Sequence, residues 1–244
     1  MLKLIRCLRR LPGLSLGEFH AHWLEHHARL PLGDRPVRRY VQYHRLPDDP
    51  IYKAMMQAEG ATAEPYDGVS IQWWDDHRSM ADDLAGSPEG QVALGDEQHF
   101  VDPAGSTACL TEERVIIEPA GDVPYVLFEC LRRRDDMDRA AFQKRWEQHA
   151  FIGRQAHRMG LLKGYIQNCA LLEDDDRWAA TGGDGAAAWD GVVTAYFDSV
   201  AKLKALLAAP LGSAEAYEDE RTFMDHVRSS YLVARRHVIR DVVR

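Results

Sequence analysis

The sequence predicts an α+β fold: two copies of one β-α-β-β-α-β unit in a single chain, arranged as an internal dimer around a common barrel. Three observations carry this prediction. The chain repeats itself at a constant offset, both halves show the same order of elements, and the composition suits a soluble core of this size.

The repeat is read by sliding the chain along itself. Cys7-Leu8-Arg9-Arg10 falls on Cys130-Leu131-Arg132-Arg133, an offset of 123. At that offset Phe19 meets Phe142, Trp23 meets Trp146 and His26 meets His149. Asp67-Gly68-Val69 meets Asp190-Gly191-Val192, Asp96-Glu97 meets Asp219-Glu220, and Asp102 meets Asp225. Ordered matches along a whole half, several of them Trp, Cys and His, mark a duplication. The units are 1–117 and 125–244, joined by 118–124, whose Pro119, Gly121 and Pro124 suit a linker between two strands.

Each half opens on a short apolar strand, 2–8 or 125–131, and a polar turn. A helix follows over 16–29 or 139–159, with Phe19, Trp23 and Leu30 on one face at helical spacing. A β-rich run covers 38–46 or 162–171. A long polar connection leads to a strand at 68–74 or 191–197, then to a helical stretch at 76–84 or 199–207. Another short helix precedes the closing strand, 111–117 or 231–239. This order is the ferredoxin-like unit. Its sheet has helices on one face only, so the other face must be covered. Two units cover each other, giving an intrachain pseudo-dimeric α+β barrel.

The composition excludes several classes. The chain has 244 residues, 45% of them apolar and 28% charged, with a formal charge of −8. It lacks the basic stripe of a nucleic-acid binder. No apolar run approaches the roughly 18 residues of a membrane span. Arginines interrupt MLKLIRCLRR where a signal peptide needs an unbroken apolar stretch. The cysteines, Cys7, Cys109, Cys130 and Cys169, form no CxxC pair, which argues against a disulfide scaffold or a cysteine-rich zinc module. A soluble cytoplasmic protein is expected, with neither nucleic acid nor membrane as partner.

The segment EFHAHWLEHHARL, followed by RRYVQYH, resembles the EthD family. The resemblance rests on Phe19, Trp23, His27-Ala28-Arg29-Leu30, Tyr40-Val41-Gln42, Asp96-Glu97 and Phe100-Val101-Asp102. The second half repeats it as Phe142, Trp146, His149-Ala150, Tyr165-Ile166-Gln167 and Phe223-Met224-Asp225. Two departures stand out. Arg29 occupies the place of the family's proline, and Phe151-Ile152 follows Ala150. His149 lies three residues after its tryptophan but His27 four after, so both His26 and His27 are candidates for the equivalent histidine. The resemblance implies a small-molecule pocket in a dimeric α+β barrel. Members are associated with ether degradation and with cofactor-free decarboxylation and ring-forming steps on polyketides. Related barrel families include cofactor-independent monooxygenases, lactone isomerases and haem-binding peroxidases, so no single reaction is implied.

The residues themselves nominate a site. His26 and His27 flank the apolar helix stripe, where a histidine either moves a proton or holds the helix through a backbone carbonyl. His149 holds the same choice in the second half. Period-two alternation puts Tyr40, Gln42 and His44 on one strand face against Val41 and Tyr43, and Tyr165, Gln167 and Cys169 against Ile166. The apolar face is expected on the helices. The polar face is then expected to line the barrel interior and orient a substrate, or to form a polar network at the seam. Trp73 and Trp74 would wall the first-half pocket. Asp102 and Asp225 would orient a histidine or act as the base, with turn capping as the alternative. His22 and His26 have the spacing of a metal pair, but Arg145 stands at the position matching His22 and no metal is expected. Connections 47–66, with Tyr52, Met55 and Met56, and 176–189 are candidate flaps.

The leading reading is an EthD-like enzyme with no bound cofactor. Its chemistry is acid/base-driven: decarboxylation, isomerisation, cyclisation or oxygen insertion on a small hydrophobic, aromatic or polyketide-like substrate. The main site is expected in the first half with His27 as the proton-transfer group, because His44 and Trp73-Trp74 are replaced there by Cys169 and Tyr196-Phe197 in the second. Haem binding and a non-catalytic role beside a monooxygenase are the competing readings. A homodimer of the fused chain is the expected assembly.

Overall fold

The computed structural model describes residues 1–31, 33–49, 65–171 and 189–242. Both candidate flaps lie largely outside them. In the first half, β1 (Leu2–Arg10) leads to α1 (Leu16–Ala21), β2 (Arg39–Arg45) and β3 (Gly68–Trp74). Helices α2 (His77–Ala81) and α3 (Pro88–Glu97) precede β4 (Val101–Ile117). The second half repeats this with β5 (Tyr125–Leu131), α4 (Arg139–His149), α5 (Phe151–Arg158), β6 (Gly164–Ala170) and β7 (Gly191–Phe197). It ends with α6 (Val200–Ala208), α7 (Ala214–Glu220) and β8 (Ser230–Asp241).

The strands close in the order β1-β3-β2-β8-β5-β7-β6-β4. Each half supplies one four-stranded sheet, and the sheets join edge to edge as β2–β8 and β4–β6. Closure removes the exposed edges that two separate sheets would carry. It also explains why β4 starts ten residues earlier than the sequence predicts. Its first part pairs with β1 and its second part, from Thr111, pairs with β6 across the seam. Lys3, fully buried on β1, pins this seam through Nζ to Glu113 Oε1 at 2.7 Å and Asn168 Oδ1 at 2.6 Å.

The long first helix predicted in each half is interrupted. Ser15 caps α1 in a reciprocal box with Glu18. After Ala21 the chain widens into one π turn, His22–His26, and tightens into a 3-10 turn, His27–Arg29. In the second half Asp138 caps α4, and the helix breaks at Ala150 before α5. The π turn holds one more residue than the matching stretch of α4. This insertion shifts the histidine register between the halves.

The two sheet faces are covered differently from the sequence expectation. Tyr40, Gln42 and His44 point outward to the helices, not into the barrel. Gln42 Nε2 donates to the Trp23 carbonyl at 3.1 Å, Trp23 Nε1 donates to Tyr40 Oη at 3.2 Å, and His44 stacks on the Trp23 ring. Gln167 repeats the first contact on Trp146 at 2.7 Å. The barrel interior is the apolar side: Cys7, Val41, Tyr43, Ile71, Phe128, Cys130 and Ile166 form one buried cluster there. Polar strand groups face the helices because helix carbonyls and indoles offer them partners. Inside the barrel the few buried polar groups, such as Lys3 and Asn168, bond one another instead.

The repeated motifs now have physical meanings. Arg10 and Arg133 pair with Asp67 and Asp190, tying the end of each first strand to the start of β3 or β7. Gly68 and Gly191 let the indoles of Trp23 and Trp146 lie on the strand, where an added Cβ would stand 2.5 and 2.3 Å from the rings.

Candidate active site

Space for a ligand lies outside the barrel, between the second-half sheet and its helices. A cavity of about 470 Å³ is walled by Leu127, Ile152, Ala156, Leu162, Ala195 and Leu206, within the size range of small-molecule sites. Its polar groups are Glu129 from β5, His149 at the end of α4, Tyr165 from β6, and Tyr217 and Glu220 from α7. Gly153 on α5 admits the Tyr165 ring, against which a Cβ would stand at 2.7 Å. A second concavity of about 530 Å³, beside Arg134, Asp136 and Arg221, is bordered by surface ion pairs and has little apolar wall.

His149 is held at both ring nitrogens. Nδ1 lies 2.7 Å from Asp219 Oδ2, and Nε2 lies 3.3 Å from Glu220 Oε1. Glu220 also meets His226 Nε2 at 3.1 Å. Burial opposes the charge of His149, but the hydrogen bonds of Glu220 and Asp219 outweigh it and raise its pKa. Burial likewise opposes ionisation of Glu220, yet His149 and His226 hold its carboxyl down at about 2. The carboxylates around His149 therefore favour its protonated form.

The first half has the same frame with different contents. His27 Nδ1 lies 2.8 Å from Asp96 Oδ2, the contact that His149 makes with Asp219. His27, not His26, is therefore the counterpart of His149, and the extra residue of the π turn accounts for the shifted spacing. The matching cavity has shrunk to about 30 Å³. Arg6 occupies the position of Glu129 and grips Glu97, the counterpart of Glu220, through bonds of 2.5 and 2.6 Å. Burial prevails at His27 over the pull of Glu97 and Asp96, with Arg6 adding to it, and its pKa falls. In the half where the sequence leads us to expect the main site, this ion pair occupies the space that stays open in the other.

The other nominated residues separate. Tyr40 borders the small first-half cavity, and burial pushes its phenol up to about 12. Tyr165 lines the large one, and burial raises its phenol well above its usual value. Gln42 and Gln167 hold the tryptophan carbonyls. His44 sits in a stack with His20 and His237, held neutral at about 2 by burial and those two rings. Trp74 donates to Asp83 at 2.9 Å beneath α2. His26 is 62% exposed. Asp102 and Asp225 approach neither histidine. Asp102 accepts from Ala104 N at 3.1 Å and Asp225 binds Arg228 at 2.7 Å, as turn residues do. The carboxylates that do meet the histidines are Asp96 and Asp219, with Glu220 on the second ring nitrogen of His149. Their signal was the Asp-Glu pair repeated at the 123 offset.

Haem does not fit this cavity. Iron needs a free ring nitrogen, and both of those on His149 are taken by carboxylates. No lysine or arginine is among the described lining residues to meet the propionates.

The comparisons agree with the architecture. The chain matches an anthrone oxidase-like protein structure with a TM-score of 0.62 and 11% identity, covering 99% of this chain and 94% of that one. It matches a candidate monooxygenase from Lactobacillus acidophilus NCFM with a TM-score of 0.51 and 10% identity, covering 98% and 93%. A candidate chlorite dismutase gives 0.51 and 10%, covering 99% and 96%. Such identities speak for the shared fold alone. No curated protein matches the chain. The EthD domain model matches residues 11–104 and again residues 134–227, most of the chain and once in each half. The chain belongs to the EthD domain family, as a two-unit member.

Proposed function

We propose that the second-half cavity binds a small, mostly apolar hydroxyaromatic or polyketide-like ketone and moves protons on it without a bound cofactor. His149 and Glu220 are the proton-transfer pair, Asp219 fixes the imidazole, and Glu129 and Tyr165 orient the substrate. The observation that carries this reading is the Asp219–His149–Glu220 chain at the polar end of an otherwise apolar cavity of about 470 Å³. Perturbed titratable groups converging in such a cavity favour acid/base work.

The charge of the cavity narrows the reaction. Its lining carries Glu129 and Glu220 with His149 as the sole cationic group among the described residues. A substrate carboxylate would be repelled, whereas a phenol, an enol or an acidic C–H beside a carbonyl would be received. This favours isomerisation or cyclisation through an enol over decarboxylation.

The test is hydrogen exchange. The protein is incubated in D2O with a panel of hydroxyaryl ketones, and deuterium uptake beside the carbonyl is followed by NMR. His149→Ala and Glu220→Gln should each lower the catalysed exchange by about 10²–10⁴-fold, and His27→Ala should leave it near wild type. Exchange that survives His149→Ala and disappears in His27→Ala would move the site to the first half. Tight binding of a ketone with no exchange in any variant would favour the carrier reading.

A further inference from the structure

We propose that His22, His26 and Asp96 form a binding site for a first-row divalent cation, Zn2+ in the first instance, on the outer surface of the first half. His22 Nε2 lies 3.0 Å and His26 Nε2 3.3 Å from the same oxygen, Asp96 Oδ1. The three donor atoms lie within 4.8 Å of one another, and no other such group occurs among the described residues. Metal–ligand bonds of about 2.0–2.2 Å in a tetrahedral site require donor atoms a little over 3 Å apart. Two of the three separations already meet that, and small rotations of two exposed rings supply the third.

Two comparisons within the molecule favour a cation at this carboxylate. In the second half Arg145 replaces His22, and its guanidinium binds Asp219 Oδ1. The matching oxygen, Asp96 Oδ1, receives two imidazoles and, among the described residues, no guanidinium or ammonium. A divalent ion held there would supply the charge that Arg145 supplies in the other half. The second comparison is the π turn. Its extra residue brings His26 to the carboxylate, and α4 has no counterpart to it.

The surroundings suit a metal. Asp96 is 8% exposed, and His27 Nδ1 donates to its other oxygen at 2.8 Å, fixing the carboxylate from behind. His22 and His26 are 31% and 62% exposed, so an ion enters from solvent and keeps water at its remaining positions. Two imidazoles and one carboxylate favour Zn2+, Ni2+, Co2+ or Cu2+ over the oxygen-seeking Mg2+ and Ca2+.

Calorimetric titration of the chelator-treated full chain with ZnCl2, and the visible spectrum on adding Co2+, test the site. One Zn2+ per chain is expected, undisturbed by millimolar Mg2+. His26→Ala should weaken it by more than about 100-fold, beyond the roughly 10–100-fold that loss of an outer-sphere partner costs. His22→Arg, which copies the second half, should abolish it while keeping the circular dichroism and raising the metal-free melting temperature. Absence of Zn2+ uptake, displacement by Mg2+, or uptake unchanged in the His22→Arg/His26→Ala double variant would each overturn the proposal.

Discussion

The Sγ atoms of Cys7 and Cys130 lie 3.8 Å apart, although β1 and β5 stand on opposite walls of the barrel. Residues related by the repeat and touching each other must lie on the internal two-fold axis, as at an isologous interface. The two thiols therefore meet at the centre of the molecule, and the barrel is packed at their level. Among the described residues, the large apolar cavity lies outward, under the second-half helices.

A packed centre resists enlargement. Cys7→Leu and Cys130→Leu should each destabilise the protein by about 1–3 kcal/mol, the usual cost of overpacking, and by similar amounts because the sites are equivalent. Urea denaturation measures both. An unchanged midpoint in either variant would mean a void on the axis.

The Trp–Gly contacts are equally demanding. In Gly68→Ala the new Cβ meets Trp23 at 2.5 Å, and in Gly191→Ala it meets Trp146 at 2.3 Å. Each indole is sealed beneath its helix and has nowhere to move. A loss of about 1–3 kcal/mol is expected for each, with a change in tryptophan emission. Wild-type melting with unchanged emission would contradict the close approach.

Arg6 and Glu97 fill the first-half cavity as a pair. Arg6→Leu leaves Glu97 with no guanidinium and should cost toward the low end of about 3–5 kcal/mol. Replacing both, as Arg6→Leu with Glu97→Met, should recover most of that loss. If the double variant is no better than the single one, the space is not held by charge pairing.

The two histidine sites should titrate on opposite sides of 6.5, His27 below it and His149 above it. The stabilisation from the raised His149 is complete below 6.5 and is lost as pH rises through its folded pKa. That from the depressed Glu220 is complete above the ordinary glutamate range and is lost as pH falls toward about 2. Their joint contribution therefore peaks between those limits. Glu220→Gln should shrink the acid limb in a plot of melting temperature against pH, the other depressed carboxylates keeping the rest, and bring the NMR titration of His149 down. Titration of both histidines on the same side would refute this account.

The sequence by itself determined the duplication, the order of strands and helices, and the closed two-unit architecture. Trp, Cys and Gly recur at one offset because each fills a packing position that exists twice, as Cys7 with Cys130 and Gly68 with Gly191 do. The sequence also displayed the Asp-Glu pairs that meet the histidines, but gave them no role, because their distance along the chain hides a contact made across the fold. Only the tertiary structure decided which face of β2 looks outward, since alternation defines two faces without saying which neighbour has hydrogen-bonding groups to offer. It alone decided between His26 and His27, through one residue inserted as a π turn. It also showed that the open cavity lies in the second half. Arg6 stands in the repeat where Glu129 stands, so an ion pair with Glu97 occupies one cavity, while the other stays open beside His149 and its carboxylates.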